Sequence, residues 1–198
     1  KSCGMHLEYV SRSDYKQKND PAYLKLLLEN FKNFYVIPEG GTNGLAIKGC
    51  QEILSQEDLT FDIICCAVGT GGTIAGLINS SLPTQKIIGF PALKGGFLNE
   101  DICKFASQSN WELWDAYHFG GYAKVDSKLI TFMNHFKSTY KIPLDPVYTA
   151  KMMYGIFDAI QTDRIPKNAK VLAIHTGGLQ GVEGMNLKLK QKQLELII

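Results

Sequence analysis

Phe61-Asp62-Ile63-Ile64-Cys65-Cys66-Ala67-Val68-Gly69-Thr70-Gly71-Gly72-Thr73 decides how the rest of the chain is read. Phe61–Val68 is, Asp62 apart, a continuous apolar run, rich in Ile, Cys and Val and of strand length. Apolar character without alternation means that both faces of the strand are buried, as in a parallel sheet covered by helices. The run ends in Gly-Thr-Gly-Gly-Thr, and a helix is predicted over Thr73–Ser80. Glycines let successive backbone N–H groups converge, and a helix N-terminus adds positive partial charge. The turn therefore offers a cup for one phosphate monoester, with the Thr70 and Thr73 hydroxyls as further donors. The competing reading is a tight βα turn whose glycines serve packing alone. No Gly-Lys-Ser/Thr follows, so this is not a Walker loop. Ile74 stands where a dinucleotide fingerprint needs its third glycine, and no acidic residue lies between Lys86 and Asn99 to bind a ribose.

Outward from this stretch, strand-length runs alternate with segments of helical period. Strands are predicted at Met5–Val10, Phe34–Ile37, Lys86–Phe90 and Val171–Ile174. Helices are predicted over Tyr15–Asn33, with Tyr23, Leu26, Leu27 and Phe31 on one stripe, and over Gly44–Gln56, Ser127–Tyr140, Tyr148–Thr162 and the tail from Leu179. The alternation predicts an α/β fold, a mainly parallel open sheet with helices on both faces. No repeat, low-complexity tract or linker suggests an internal boundary.

Composition narrows the classes. The 198 residues are 45% hydrophobic and 20% charged, with 21 basic and 19 acidic side chains, too apolar and too weakly charged for a disordered chain. A net charge of +2 gives no basic footprint for nucleic acid, so no nucleic-acid partner is expected. No apolar run approaches the ~20 residues of a membrane span, and none at the start resembles a signal peptide. A cytoplasmic location without membrane attachment is expected. The five cysteines lack metal or disulfide spacing, and the four histidines lie far apart. Buried cysteines in a reducing compartment and no metal are the expectation.

Three more glycine junctions stand between elements: Pro38–Gly44, Phe119-Gly120-Gly121-Tyr122 and His175-Thr176-Gly177-Gly178. In an open α/β sheet, ligands collect where strands end. Leu144-Asp145-Pro146-Val147-Tyr148-Thr149 is a turn that leaves Tyr148 at a helix start. Tyr148 can serve packing or chemistry, and His175 can be a core histidine or a functional one.

Together Ile37-Pro38-Glu39-Gly40-Gly41-Thr42-Asn43, Val68–Thr73, Leu144–Thr149 and Ile174–Leu179 resemble, in order and spacing, the tryptophan-synthase-β type (fold type II) of pyridoxal-phosphate enzymes. More narrowly, they resemble the family of 1-aminocyclopropane-1-carboxylate deaminase and D-cysteine desulfhydrase. The resemblance covers nearly the whole chain and implies most of the large domain, with residues 1–35 including the return from a mostly missing small domain. It implies pyridoxal 5'-phosphate held by Gly69, Thr70, Gly71, Gly72 and Thr73, with Thr149, Thr176 and Gly177 also against the cofactor. Tyr148 and Tyr122 are the implied catalytic pair. Thr149 is implied to approach the pyridine nitrogen, where the ring-opening deaminases usually carry glutamate. A neutral hydroxyl there gives a weaker electron sink and favours elimination of a thiolate.

The implied activity is that of a lyase acting on a small amino acid, D-cysteine above all, in a homodimer. Aminocyclopropane carboxylate is the alternative substrate. The family's Schiff-base lysine lies in an N-terminal motif absent from these residues, so the chain alone is expected to be inactive, or to be a non-catalytic phosphate-binding homologue. Lys48, Lys94 and Lys151 match no such motif and are read as solvated surface side chains.

Overall fold

The computed structural model describes residues 4–31 and 34–198. Cys3 and the last two residues of the helix predicted over Tyr15–Asn33 lie outside them. The chain separates into two compact units, Lys1–Gly41 and Thr42–Ile198.

In the first unit, the helix predicted over Tyr15–Asn33 is two helices, α1 (Arg12–Lys16) and α2 (Pro21–Asn30). Asp20-Pro21 makes the break: the Asp20 carboxylate caps α2 through the Ala22 N–H at 2.7 Å. The proline has no N–H with which to continue α1. Met5–Val10 and Phe34–Ile37 are not strands, a correction to both expectations. A strand needs a neighbour for its backbone groups, and among the described residues neither segment has one. None of the unit's described residues is buried.

The second unit holds a four-stranded sheet in the order β3-β2-β1-β4, with every pair parallel. The strands are β1 (Ile63–Val68), β2 (Lys86–Pro91), β3 (Trp111–Leu113) and β4 (Val171–Ile174). α3 (Gly44–Cys50) precedes them, α4 (Gly72–Ser80), α5 (Leu98–Cys103), α6 (Ser127–Tyr140) and α7 (Thr149–Gln161) run between them, and α8 (Gly181–Gln191) comes last. The α/β class, the parallel sheet and the helices on both faces are as the sequence predicts. β3, three residues long, and α5, six, are too short to show a period in the sequence, and α3 stops at Cys50, six residues earlier than predicted.

The pleat of β1 divides its residues between two cores. Ile63, Cys65 and Ala67 face Met152, Ile156 and Ala159 of α7. Ile64, Cys66 and Val68 face Ile74, Leu77 and Ile78 of α4 and Leu98 and Ile102 of α5. A side chain of Ile or Val size so buried contributes about 1.5–3 kcal/mol. The chain steps from β1 to β2 to β3 on one side, then returns through α6 and α7 to β4 on the other. Strand order therefore reverses between β1 and β4. Cys66 pairs with Ile174, so the turns leaving these two strands start within two residues of one level. Such a crevice at the C-terminal ends of strands is where open α/β sheets bind ligands.

Candidate functional site

The turn after β1 takes its shape from its glycines. Gly71 caps α4 in the left-handed region, at φ +91°. A Cβ on Gly72 would stand 2.9 Å from the Thr42 hydroxyl, and one on Gly69 3.3 Å from the Tyr148 ring. Thr42 Oγ1 and Thr70 Oγ1 share a 2.6 Å hydrogen bond. Thr70 is exposed and Thr73 half-buried at the start of α4. The first-turn N–H groups of a helix have no acceptor within it, so two hydroxyls and these amides form a cup suited to a monoanionic or dianionic oxygen group. Gly69, Thr70, Gly71, Gly72 and Thr73 form this single turn. Thr42 joins them, a residue within the quoted motif that the reading did not single out.

Asp145 builds the second wall. It is 2% exposed, and its carboxylate accepts four hydrogen bonds. Oδ1 takes the N–H groups of Val147 and Tyr148 at 2.8 and 2.9 Å; Oδ2 takes the Thr149 N–H and the Thr149 hydroxyl, both at 2.7 Å. The Asp145 N–H in turn donates to Thr149 Oγ1 at 2.9 Å. The turn is rigid because one carboxylate satisfies the donors left over at the start of α7. Its consequence is that Tyr148 projects with its ring against Gly69. Thr149 is fully buried and its hydroxyl proton is given to Asp145, so in this arrangement it offers an acceptor rather than a donor. The sequence reading saw Asp145 only as part of a turn. An acidic residue four positions before a Thr at a helix start was the available signal.

Tyr122 stands edge-on to Tyr148, ring centroids 6.1 Å apart at 69°. It is exposed, on a loop where Phe119, Gly120, Gly121 and Ala123 all have positive φ. Lys151 reaches this loop. It is 1% exposed, which overturns its reading as a solvated surface side chain. Its place on α7, between Ala150 and Met152, carries it into the core with them. Burial lowers its pKa to about 8, against an opposing attraction from Asp145.

Thr176 and Gly177 follow β4 directly. Gly177 and Gly178 have φ +81° and +82°, and a Cβ on Gly178 would stand 3.2 Å from the Asp145 carboxyl carbon. This turn thus packs beside the Asp145 turn, with the Thr176 side chain exposed. His175 is a brace: Nε2 donates to the Pro143 carbonyl at 2.9 Å and Nδ1 accepts from the Gly177 N–H at 3.1 Å. Both ring nitrogens are engaged, which leaves it structural. Cys65 and Cys66 point to opposite faces of β1; burial pushes both thiols up, Cys66 to about 12. Among the described residues, no group of three or more His, Cys, Asp or Glu could hold a metal ion.

The family of pyridoxal-phosphate dependent enzymes matches residues 1–177 of the chain. The chain is 31% identical to the bifunctional D-cysteine desulfhydrase/1-aminocyclopropane-1-carboxylate deaminase, mitochondrial, of Arabidopsis thaliana. That match covers 90% of this chain and 51% of the relative. It is 30% identical to a D-cysteine desulfhydrase of Klebsiella pneumoniae, over 73% of this chain and 50% of the relative. Among solved structures, a crystal structure of an ACC deaminase homologue superposes with a TM-score of 0.78 at 27% identity, over 96% of this chain and 64% of that one. The chain spans about half to two thirds of the length of the curated relatives it matches.

Proposed function

This chain belongs to the family of pyridoxal-phosphate dependent enzymes, and from that premise we propose that the complete protein is a lyase of the D-cysteine desulfhydrase kind. With one water, it converts a small amino acid to a 2-oxo acid and ammonia, with hydrogen sulfide released as well when the substrate is D-cysteine. The observation that carries this reading is the seating of the Tyr148 ring on Gly69, beside the cup at the start of α4. In this proposal, the cup formed by Gly69, Thr70, Gly71, Gly72 and Thr73 holds the cofactor phosphate. When bound, pyridoxal phosphate supplies a sink for the electron pair left at the substrate's α-carbon. Tyr148 stands against the substrate's β-substituent and gives a proton to the departing group. Tyr122 supports it from the side, and Thr176 and Gly177 line the cofactor from β4.

Thr149 makes the choice between substrates. The position is neutral and its proton is committed to Asp145. Thr149 itself carries no charge, so in this proposal the ring nitrogen meets a neutral hydroxyl in place of a carboxylate, a weaker electron sink that suits a good leaving group such as thiolate. The second reading, ring opening of aminocyclopropane carboxylate, is favoured by the bifunctional relative. A cytoplasmic location and a homodimer belong to the same proposal; among the described residues no helix is long and apolar enough to cross a membrane. The test is kcat/KM of the complete protein for both substrates. Faster turnover of D-cysteine is expected. Faster ring opening selects the second reading, and turnover of neither refutes both.

A further inference from the structure

Lys151 occupies a place that elementary electrostatics disfavours twice. Its ammonium group lies in the interior, 1% exposed, and it sits in the first turn of α7, at the positive end of the helix dipole. Two backbone carbonyls answer it. Lys151 Nζ donates to His118 O and to Gly121 O, both at 2.8 Å. These carbonyls belong to a loop with an unusual backbone, in which Phe119 at φ +51° and, just beyond the second carbonyl, Ala123 at φ +53° join two left-handed glycines. Side-chain-bearing residues reach that region only when their surroundings hold them there. Phe119 is held on one side by the Tyr154 ring, edge to face at 5.0 Å. Tyr154 lies three residues beyond Lys151, so one stripe of α7 grips the loop at two points. The next residue out of the grip is Tyr122, facing Tyr148. Tyr148 is anchored independently, by Asp145 and the packing over Gly69.

We propose that Lys151 is a positioning residue of the candidate site: by gathering the carbonyls of His118 and Gly121, it fixes the loop that presents Tyr122 edge-on to Tyr148. The catalytic consequence rests on the function proposed above, and the clamp itself does not. A buried lysine of pKa about 8 keeps two N–H donors in either protonation state, so the grip persists through neutral and mildly alkaline conditions.

Lys151→Met keeps the side-chain length and removes every donor. In the complete protein it should speed amide exchange of Gly121 and Lys124 by at least about tenfold while the amides of α7 stay as they were. It should lower kcat by about tenfold with KM little changed. The same substitution in a Tyr122→Ala background should cost no further kcat, because Lys151 acts through Tyr122. Unchanged exchange across 119–124, or an equal kcat loss in both backgrounds, overturns the proposal. Should Lys151→Met fail to fold, Gly121→Ala disturbs the same loop without touching the lysine. Space is open there, the nearest atoms being those of Lys94 at 3.8 Å, but φ +115° resists a side chain. Faster exchange with a kcat loss that vanishes in Tyr122→Ala supports the clamp, and a silent Gly121→Ala refutes it. Exchange is read without cofactor or substrate. A released loop in a protein with no lyase turnover therefore refutes only the proposed function, and an unmoved loop in an active enzyme refutes only the role of Lys151.

Discussion

One carboxylate, Asp145, sets the positions of three neighbours through four hydrogen bonds. At this scale chemistry is decided by which donors are already taken, and Thr149 has none to spare. The turn at Thr73 is different, because the first N–H groups of α4 have no acceptor within the helix. Thr73→Asp should leave the fold intact, since a negative side chain in the first turn of α4 suits the helix dipole. It should weaken inorganic phosphate or pyridoxal phosphate binding by at least about tenfold, or ~1.4 kcal/mol, through like-charge repulsion. Calorimetric titration checks this. Unchanged affinity would refute the proposed phosphate cup.

The element that organises the site is α7. Its N-cap Tyr148 and its first-turn residues Thr149 and Lys151 come to the site, while Met152, Ile156 and Ala159 pack on the sheet. Gly155 lets it lie close: a Cβ there would stand 2.5 Å from Phe90 Cε1 and 2.9 Å from Tyr117 Cδ2. Gly→Ala ordinarily stabilises a helix by about 1 kcal/mol. Here overpacking, typically 1–3 kcal/mol, opposes that gain. Gly155→Ala is expected to destabilise on balance in urea titration and to lower turnover by lifting the first turn of α7 from Gly69. A variant more stable than the parent would show that α7 has room to spare. The split of the predicted Tyr15–Asn33 helix belongs to this scale too: the apolar stripe of Tyr23, Leu26 and Leu27 carries the helical period, while Asp20-Pro21, a capping pair, is the local signal for the break.

For the molecule as a whole, β1, like β2, has neighbours on both sides and helices on both faces. Its amides and side chains should open only when the second unit unfolds globally. Cys65 and Cys66 report this directly, since both are fully buried and their thiols are held neutral well past neutral pH. Cys103 is exposed on α5. Alkylation at neutral pH should modify Cys103 in the native protein at the rate of a solvent-exposed thiol. Cys65 and Cys66 should be modified only along the denaturant unfolding curve. Peptide mass spectrometry distinguishes them, and early labelling of either β1 cysteine would mean that the sheet opens locally.

Residues contiguous in the chain were readable in advance. An unbroken apolar run, Ile63–Val68, can be satisfied only by burial of both faces, and that alone implies a parallel sheet between helices. Gly-Thr-Gly-Gly-Thr after it implies a turn with outward amides, because local backbone geometry depends on neighbours in sequence. Ser127–Tyr140 and Val171–Ile174 coincide with α6 and β4 for the same reason. What pairs across distance was settled by the tertiary structure alone. Met5–Val10 and Phe34–Ile37 have strand composition but no partner strand among the described residues. Tyr148 meets Gly69 across 79 positions only because β1 and α7 pack together. Lys151 is indistinguishable in sequence from a surface lysine; two carbonyls 30 and 33 residues away make its burial tolerable. Periodicity records which side of an element is apolar, whereas the charge state and role of a side chain depend on groups that only folding brings within a few ångströms.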